Sequence, residues 1–365
     1  MPTRDALELP EIADDIRVAQ ALPGVLYGDP RFHARVRERV FARSWQLLGG
    51  SAGLARAGRV SPVTLLPGCL DEPLVLTRDG AGEHCLSNVC THRASVVVGA
   101  EGELSSLRCP YHGRRFALDG RFLSAPHFEG AAGFPSAADD LPRLPLARWG
   151  PLRFTALDPA HAFDSWIAPL RARVPWLEDA PYVAAPARAR DYELAASWAL
   201  YCDNFLEGLH VPFVHPGLAR AIDDDAYETE LFELGSLQIG FARPGQPAFA
   251  PPPGPREHGR RVAAYWFWLF PNLMLNFYPW GLSVNVVVPT ALDRTRVAYS
   301  AWVSDPSQLG AGAGFDLDEV EREDGEIVEK VQRGARSRLY GRGRYSPSRE
   351  TGVHHFHRLL VRSLA

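Results

Sequence analysis

The sequence predicts an α+β protein with a small all-β module set into a larger body, on three observations. Between Trp45 and about Gly150, short β-type runs alternate with turn dipeptides. Residues 227–303 read as a second, longer series of strands. Helical periodicity appears outside these stretches: over residues 1–43, over 190–218, and from Asp316 onward.

The elements follow in order. Asp29-Pro30 opens the run RFHARVRERVFARS, where Phe32, Val36, Val40 and Phe41 recur at helical spacing. In the β region, VSPVTLL, PLVLTR, ASVVVGA and RRFALDGRFL read as strands, and Asp79-Gly80 and Asp119-Gly120 mark turns. The Pro-rich stretch LPRLPLARWGPLRF closes this region. ETELFELGSLQIGFA, VAAYWFWLF, LMLNFYP, LSVNVVVPT and TRVAYSAWV read as the second series, with a Pro-rich, mobile loop expected from Arg243 to Arg256. Asp316 to about Leu339 reads as a charged helix and SPSRETGVHHFHRLLVRSLA as an amphipathic one.

Composition excludes several classes. A length of 365 residues suits two domains or one large one, and 46% hydrophobic with 22% charged residues is globular. A net charge of −4 points to neither nucleic acid nor an anionic membrane. The greasiest stretch, Val262 to Val288, is interrupted by Pro271, Asn272, Asn276 and Pro279, so no membrane span is expected. MPTRDALELPEIADD is acidic and lacks an apolar core, so it is not read as a secretory signal. Five cysteines do not form a secreted disulfide framework, and two of them lie beside histidines. Metal in a reducing, cytoplasmic compartment is the expectation. Cys69, Cys85 and Cys202 read as buried reduced thiols.

The metal chemistry rests on spacing. Cys90-Thr-His92 is followed, after sixteen residues, by Cys109-Pro-Tyr-His112. Four such ligands in two tight pairs can close a zinc site or hold a cluster. Zinc sites more often use C-x2-C pairs. A Cys–His pair in each of two loops fits a mixed-ligand [2Fe–2S] cluster, with Cys90 and Cys109 on one iron and His92 and His112 on the other. Further along, His210 and His215 stand five apart and would not share a face of a straight helix. Pro212 breaks that regularity and lets both rings converge. Two histidines and a carboxylate with open positions make the facial set for non-haem Fe(II) that activates O2.

These segments carry a resemblance. NVCTHRAS and CPYHGRRFALDG resemble the Rieske domain of aromatic-ring-hydroxylating oxygenases. Respiratory Rieske proteins usually add a disulfide pair beside the ligands; here Ala94, Ser95 and Gly113 stand there, which favours the oxygenase type. YCDNFLEGLHVPFVHPGL resembles the mononuclear-iron motif of the oxygenase α subunits, and is most similar to the choline monooxygenase branch. The resemblance implies an all-β Rieske domain (44–150) inserted in an α+β catalytic domain (151–365) whose central antiparallel sheet is flanked by helices, helix-grip-like, with residues 1–43 as a helical segment packed on it. It implies His210 and His215 as iron ligands and Asp324 as the third, ahead of Asp316, Asp318, Glu321 and Glu323. It further implies Glu207 as a carboxylate bridge to a Rieske histidine of the neighbouring subunit, with Asp203 and Asn204 around the iron and the O2 site.

By the same resemblance the protein is a terminal oxygenase that uses O2 and external electrons to hydroxylate or N-demethylate a small substrate such as a quaternary ammonium or N-methyl compound. A homotrimer is implied, as is a separate reductase or ferredoxin drawing on NAD(P)H, because no G-x-G-x-x-G fingerprint appears. Tyr265, Trp266, Phe267, Trp268, Phe277, Tyr278 and Trp280 are candidate cation–π walls, although on strands only alternate residues face one side. Three alternatives remain: an arene dihydroxylating dioxygenase, a Rieske electron-transfer protein without oxygenase activity, and a zinc-binding structural protein. His354, His355 and His357 read as part of an amphipathic end helix, not a metal site, and His127 as a turn residue.

Overall fold

The computed structural model describes residues 7–48, 54, 56–249, 256–257 and 259–365. It contains two compact units, Ala42–Phe163 and the discontinuous Met1–Phe41 with Asp164–Ala365, so the first is inserted in the second. The inserted unit runs past the expected boundary at Gly150. Strand Leu152–Thr155 folds back on Leu146–Trp149 and also pairs with Gln46–Leu47, which ties both ends of the module into one three-stranded sheet.

The remainder of the module is a five-stranded antiparallel sheet and a three-stranded one. VSPVTLL and PLVLTR become the paired strands Arg59–Leu65 and Glu72–Arg78. RRFALDGRFL becomes the hairpin Arg115–Phe116 with Phe122–Ser124, turned at Gly120, whose φ is +90°. ASVVVGA is not a strand; it makes a single bridge, Val96 to Val89, because the chain there closes a loop around Cys90. Val60, Val75, Leu86, Leu107, Phe116 and Leu141 form the core beneath both cysteines.

The larger unit is built on an eight-stranded antiparallel sheet. From one edge, Ile222–Phe232 pairs with Gly235–Ala242, and then Val262–Leu269, Leu273–Tyr278, Gly281–Ala291 and Arg294–Val303 follow; Val183–Ala184 and Arg190–Leu194 both close on the last. ETELFELGSLQIGFA therefore holds a hairpin, not one strand, with its turn at Glu233–Leu234. The first strand also takes in Asp223 to Asp225, whose acidic run hides it in the sequence. Residues 190–194, expected helical, are strand because their alternation pairs with Thr295–Tyr299. Within the Pro-rich loop expected to be mobile, residues 250–255 lie outside the described residues.

Eight helices are described: α1 (Pro30–Arg39), α2 (Phe163–Arg173), α3 (Pro175–Glu178), α4 (Trp198–Phe205), α5 (Val211–Val214), α6 (Pro216–Ala221), α7 (Leu317–Ala335) and α8 (Thr351–Leu364). The N-terminal region is less helical than expected. Among the described residues there, only α1 forms, with 3-10 turns at Gly24–Gly28 and Phe41–Arg43, since Pro10 and Pro23 punctuate the rest. Asp29 caps α1 by accepting from the Arg31 backbone N–H, and Pro30 occupies the first helical position, where no donor is needed. No helix among the described residues is long and apolar enough to cross a membrane.

Candidate metal centres

In the inserted unit the two Cys–His loops share one backbone scheme. The amide of Cys90 donates to Ser95 and that of Ala94 donates back to Cys90; the amide of Cys109 donates to Arg114 and that of Gly113 back to Cys109. Each loop turns through a left-handed residue four positions after its cysteine, Ala94 at φ +54° and Gly113 at φ +73°. This holds Cys90 and Cys109 buried and the rings of His92 and His112 edge to face at 4.8 Å. Burial pushes the Cys90 thiol up. Burial also acts on Cys109, yet the backbone N–H groups of Tyr111 and His112, with the side chains of Cys90 and Ser95, hold it below its ordinary value. Sulfurs that accept backbone hydrogen bonds are suited to thiolate ligation. Arg114, which the sequence reading passed over, braces this site. It is buried, donates to Thr91 Oγ1 at 2.9 Å, pairs with Asp139 at 3.2 Å, and lies over Phe122, Phe128 and Phe134 at 5.1–5.3 Å.

The second centre is built by α4–α7. After α4 ends, Glu207 to His210 forms a bend. Gly208 permits it, since a Cβ there would meet the Tyr227 ring at 2.7 Å. The bend points Glu207 back: Oε2 accepts from the His210 amide at 3.1 Å and Oε1 lies 2.6 Å from His210 Nδ1. Pro212 and Pro216 open α5 and α6, and the short α5 between the histidines turns the rings together.

His210, His215 and Asp324 converge. The Nε2 atoms of the histidines are 3.2 Å apart, and Asp324 Oδ1 stands 3.0 Å from that of His215 and 3.6 Å from that of His210. His215 Nδ1 faces Glu323 Oε2 at 2.7 Å. With each Nδ1–H donating to a carboxylate, both Nε2 lone pairs point at one spot. Ligands at ~2.1 Å from one ion, at right angles, would stand ~3 Å apart. The donor set therefore fits a divalent ion with two imidazoles and one carboxylate. Burial disfavours charge on His215, but Asp324 and Glu323 outweigh it and raise its pKa to about 9, so ion binding must displace a proton.

Helix α7 aims Asp324. Glu321, Asp324, Val328, Gln332 and Ala335 recur at three- and four-residue spacing along one stripe. Gln332 is buried and its Oε1 accepts from the Ser197 amide at 2.8 Å, which locks α7 to the start of α4. A lone glutamine in an apolar stripe was the available sequence signal. Asp318 instead hydrogen-bonds Tyr192, and Asp316 caps α7 through the Glu319 amide.

The remaining candidates separate. Asn204 lines the pocket beside the histidines. Asp203 turns away: it accepts from Tyr27 at 2.9 Å and pairs with His357 Nε2 at 2.8 Å, while Tyr345 lies 2.6 Å from His357 Nδ1. His357 is thus a buried hydrogen-bonded strut of α8, and His354 bonds the Ala13 carbonyl. His127 is a turn residue at φ +59°. Of the aromatics, Trp266 and Tyr278 face the pocket with Tyr201, Phe205 and Tyr227. Trp280 stacks on Tyr278, and Trp268 packs on Phe356 of α8. Cys69, Cys85 and Cys202 are buried and unbridged.

Comparison with known proteins gives the same two-part picture. Residues 44–135 match the Rieske [2Fe-2S] domain, and residues 183–365 match the ring hydroxylating alpha subunit catalytic domain. The chain is 31% identical to choline monooxygenase, chloroplastic, of Arabidopsis thaliana, over 95% of this chain and 83% of that protein. It is 30% identical to the carnitine monooxygenase oxygenase subunit of Escherichia coli (strain K12), over 94% and 93%. Its fold is shared with a quaternary ammonium Rieske monooxygenase solved with L-carnitine (TM-score 0.76, 23% identity, 99% of this chain and 100% of that one). It is also shared with naphthalene 1,2-dioxygenase from Rhodococcus sp. (TM-score 0.70, 19% identity, 94% and 93%).

Proposed function

Since the chain belongs to the Rieske-type ring-hydroxylating oxygenase α-subunit family, we propose that it hydroxylates a quaternary ammonium or N-methyl compound at a carbon near the nitrogen. It is an oxidoreductase that uses O2, with electrons supplied by a partner reductase or ferredoxin. A [2Fe–2S] cluster would supply those electrons one at a time, and a mononuclear iron would supply the chemistry of O2 activation. Cys90, His92, Cys109 and His112 would hold the first; His210, His215 and Asp324 would hold the second.

The observation that carries the reading is the convergence of His210, His215 and Asp324 on the wall of a pocket faced by Trp266, Tyr278, Tyr201 and Tyr227. Aromatic faces attract a quaternary ammonium, each contact being worth roughly 0.5–2 kcal/mol. Oxygen uptake and product formation with choline, L-carnitine, N-methylamines and naphthalene test it. Coupled turnover of an ammonium compound is expected; turnover of naphthalene alone would favour the dihydroxylating reading. About three iron atoms per chain are expected, against about two for an electron carrier.

Glu207 acts as the bridge to the Rieske histidine of a neighbouring copy in a head-to-tail homotrimer. What supports this is that Glu207 grips His210 Nδ1, while Leu209 and Phe213 beside it are 43% and 83% exposed. On the other unit Tyr111, 63% exposed, stacks on the exposed His112 ring at 3.7 Å. Apolar side chains around both centres suit a surface covered by another copy. Glu207→Gln should keep both metals and the trimer mass yet lose coupled turnover. The buried, unbridged cysteines support a reducing, cytoplasmic location.

A further inference from the structure

The pocket holds a carboxylate that the metal site does not use. Glu321 stands one helical turn before Asp324 on α7 and lines the same pocket. Its oxygens accept from the Tyr201 hydroxyl and the Asn285 amide, both neutral donors. No arginine or lysine among the described residues pairs with it, and none lines the pocket. A part-buried carboxylate without a counter-charge is costly, and here burial raises its pKa to about 7. Asn285 and Tyr201 nonetheless hold it in the wall of a pocket that Trp266, Tyr227 and Tyr278 also line.

We infer that Glu321 is the charge partner of the substrate's ammonium group, and that the substrate is a simple cation bearing no carboxylate of its own. This rests on the oxygenase reading above. Glu321 supplies the opposite charge, Tyr278, Trp266 and Tyr201 supply the π faces, and the i, i+3 spacing sets the cation about one turn from the ligand Asp324. A zwitterion would bring a carboxylate into a lining that offers Glu207, Glu321 and Asp324 and, apart from the metal site itself, no arginine or lysine to pair with it.

The test uses the iron-loaded enzyme with three probes: choline, its neutral carbon isostere 3,3-dimethyl-1-butanol, and γ-butyrobetaine. Calorimetric binding is read alongside KM and kcat. Wild type should bind choline more tightly than either other probe. In Glu321→Gln, which keeps hydrogen-bonding capacity toward Tyr201 and Asn285, choline affinity should fall on the order of 30-fold while the neutral alcohol changes little. The loss should appear in KM more than in kcat. Glu321→Asp, which keeps the charge, should retain the choline preference. An unchanged choline-to-alcohol ratio in Glu321→Gln, or tighter wild-type binding of γ-butyrobetaine than of choline, overturns the inference but leaves the oxygenase reading intact. Failure of wild type to bind any ammonium probe overturns both.

Discussion

Glu323 and His215 stand 2.7 Å apart, carboxylate to Nδ1, while the next residue, Asp324, presents Oδ1 to Nε2 of the same ring at 3.0 Å. Two consecutive acids thus hold the two nitrogens of one buried imidazole, one as its hydrogen-bond acceptor and one as a co-ligand. Removing the acceptor frees the ring to rotate and lowers its basicity. Glu323→Ala should weaken mononuclear iron binding by roughly 10–100-fold. Titration with a chelator measures this, and the cluster's visible absorbance should not change. Iron retained as in wild type would reduce Glu323 to surface charge.

Arg114 joins the first Cys–His loop, through Thr91, to Asp139 and three phenylalanine rings. Arg114→Met should take the cation from Asp139, leave Thr91 without its donor and unseat the loop, at a cost of about 3 kcal/mol. Urea unfolding followed at the cluster's absorbance band would show an earlier midpoint. A coincident transition would mean that the ring packing alone holds the loop.

Ala94 occupies the left-handed position that Gly113 fills in the sister loop. An L side chain there costs ~1–2 kcal/mol, and glycine's greater unfolded entropy returns ~0.5–1 kcal/mol of that. Ala94→Gly should stabilise the inserted unit by about 0.5–1 kcal/mol with its cluster intact. Thermal melting monitored by visible circular dichroism decides; a lower midpoint contradicts the strain argument.

His355 in α8 sits where burial, with Arg362 and Arg358 nearby, pushes its pKa down to about 4. The unfolded chain takes up this proton near 6.5, the folded chain only near 4. Between those values the unfolded state binds more protons, so stability falls as pH drops through the window and levels off below it. Relative to wild type, His355→Gln should gain stability as pH falls from 7 to 4. A pH-independent difference between the two proteins would show that His355 does not titrate differently on folding.

How much was legible in the sequence depended on the range over which each feature is decided. The Cys–His pairs and the His210/His215 pair are short-range: two to five residues of chain bring their ligands within reach whatever the rest of the fold does. The strand series and the capped α1 were equally readable, since alternation, Asp29 and Pro30 act locally. Strands shorter or more acidic than the pattern expects, such as Asp223 to Asp225, became visible only through their partner strand.

By itself, then, the sequence determined the ligand pairs, the inserted β module and the α+β class, because these follow from local spacing and periodicity. The tertiary structure decided which acid on α7 meets the histidines, that Glu323 backs His215, that Glu321 faces the pocket, and that Asp203 is spent on His357 and Tyr27. The physical reason is rotation. A helix crowded with carboxylates presents any of them equally well until a contact distant in sequence, here Gln332 on the Ser197 amide, fixes its turn about its own axis.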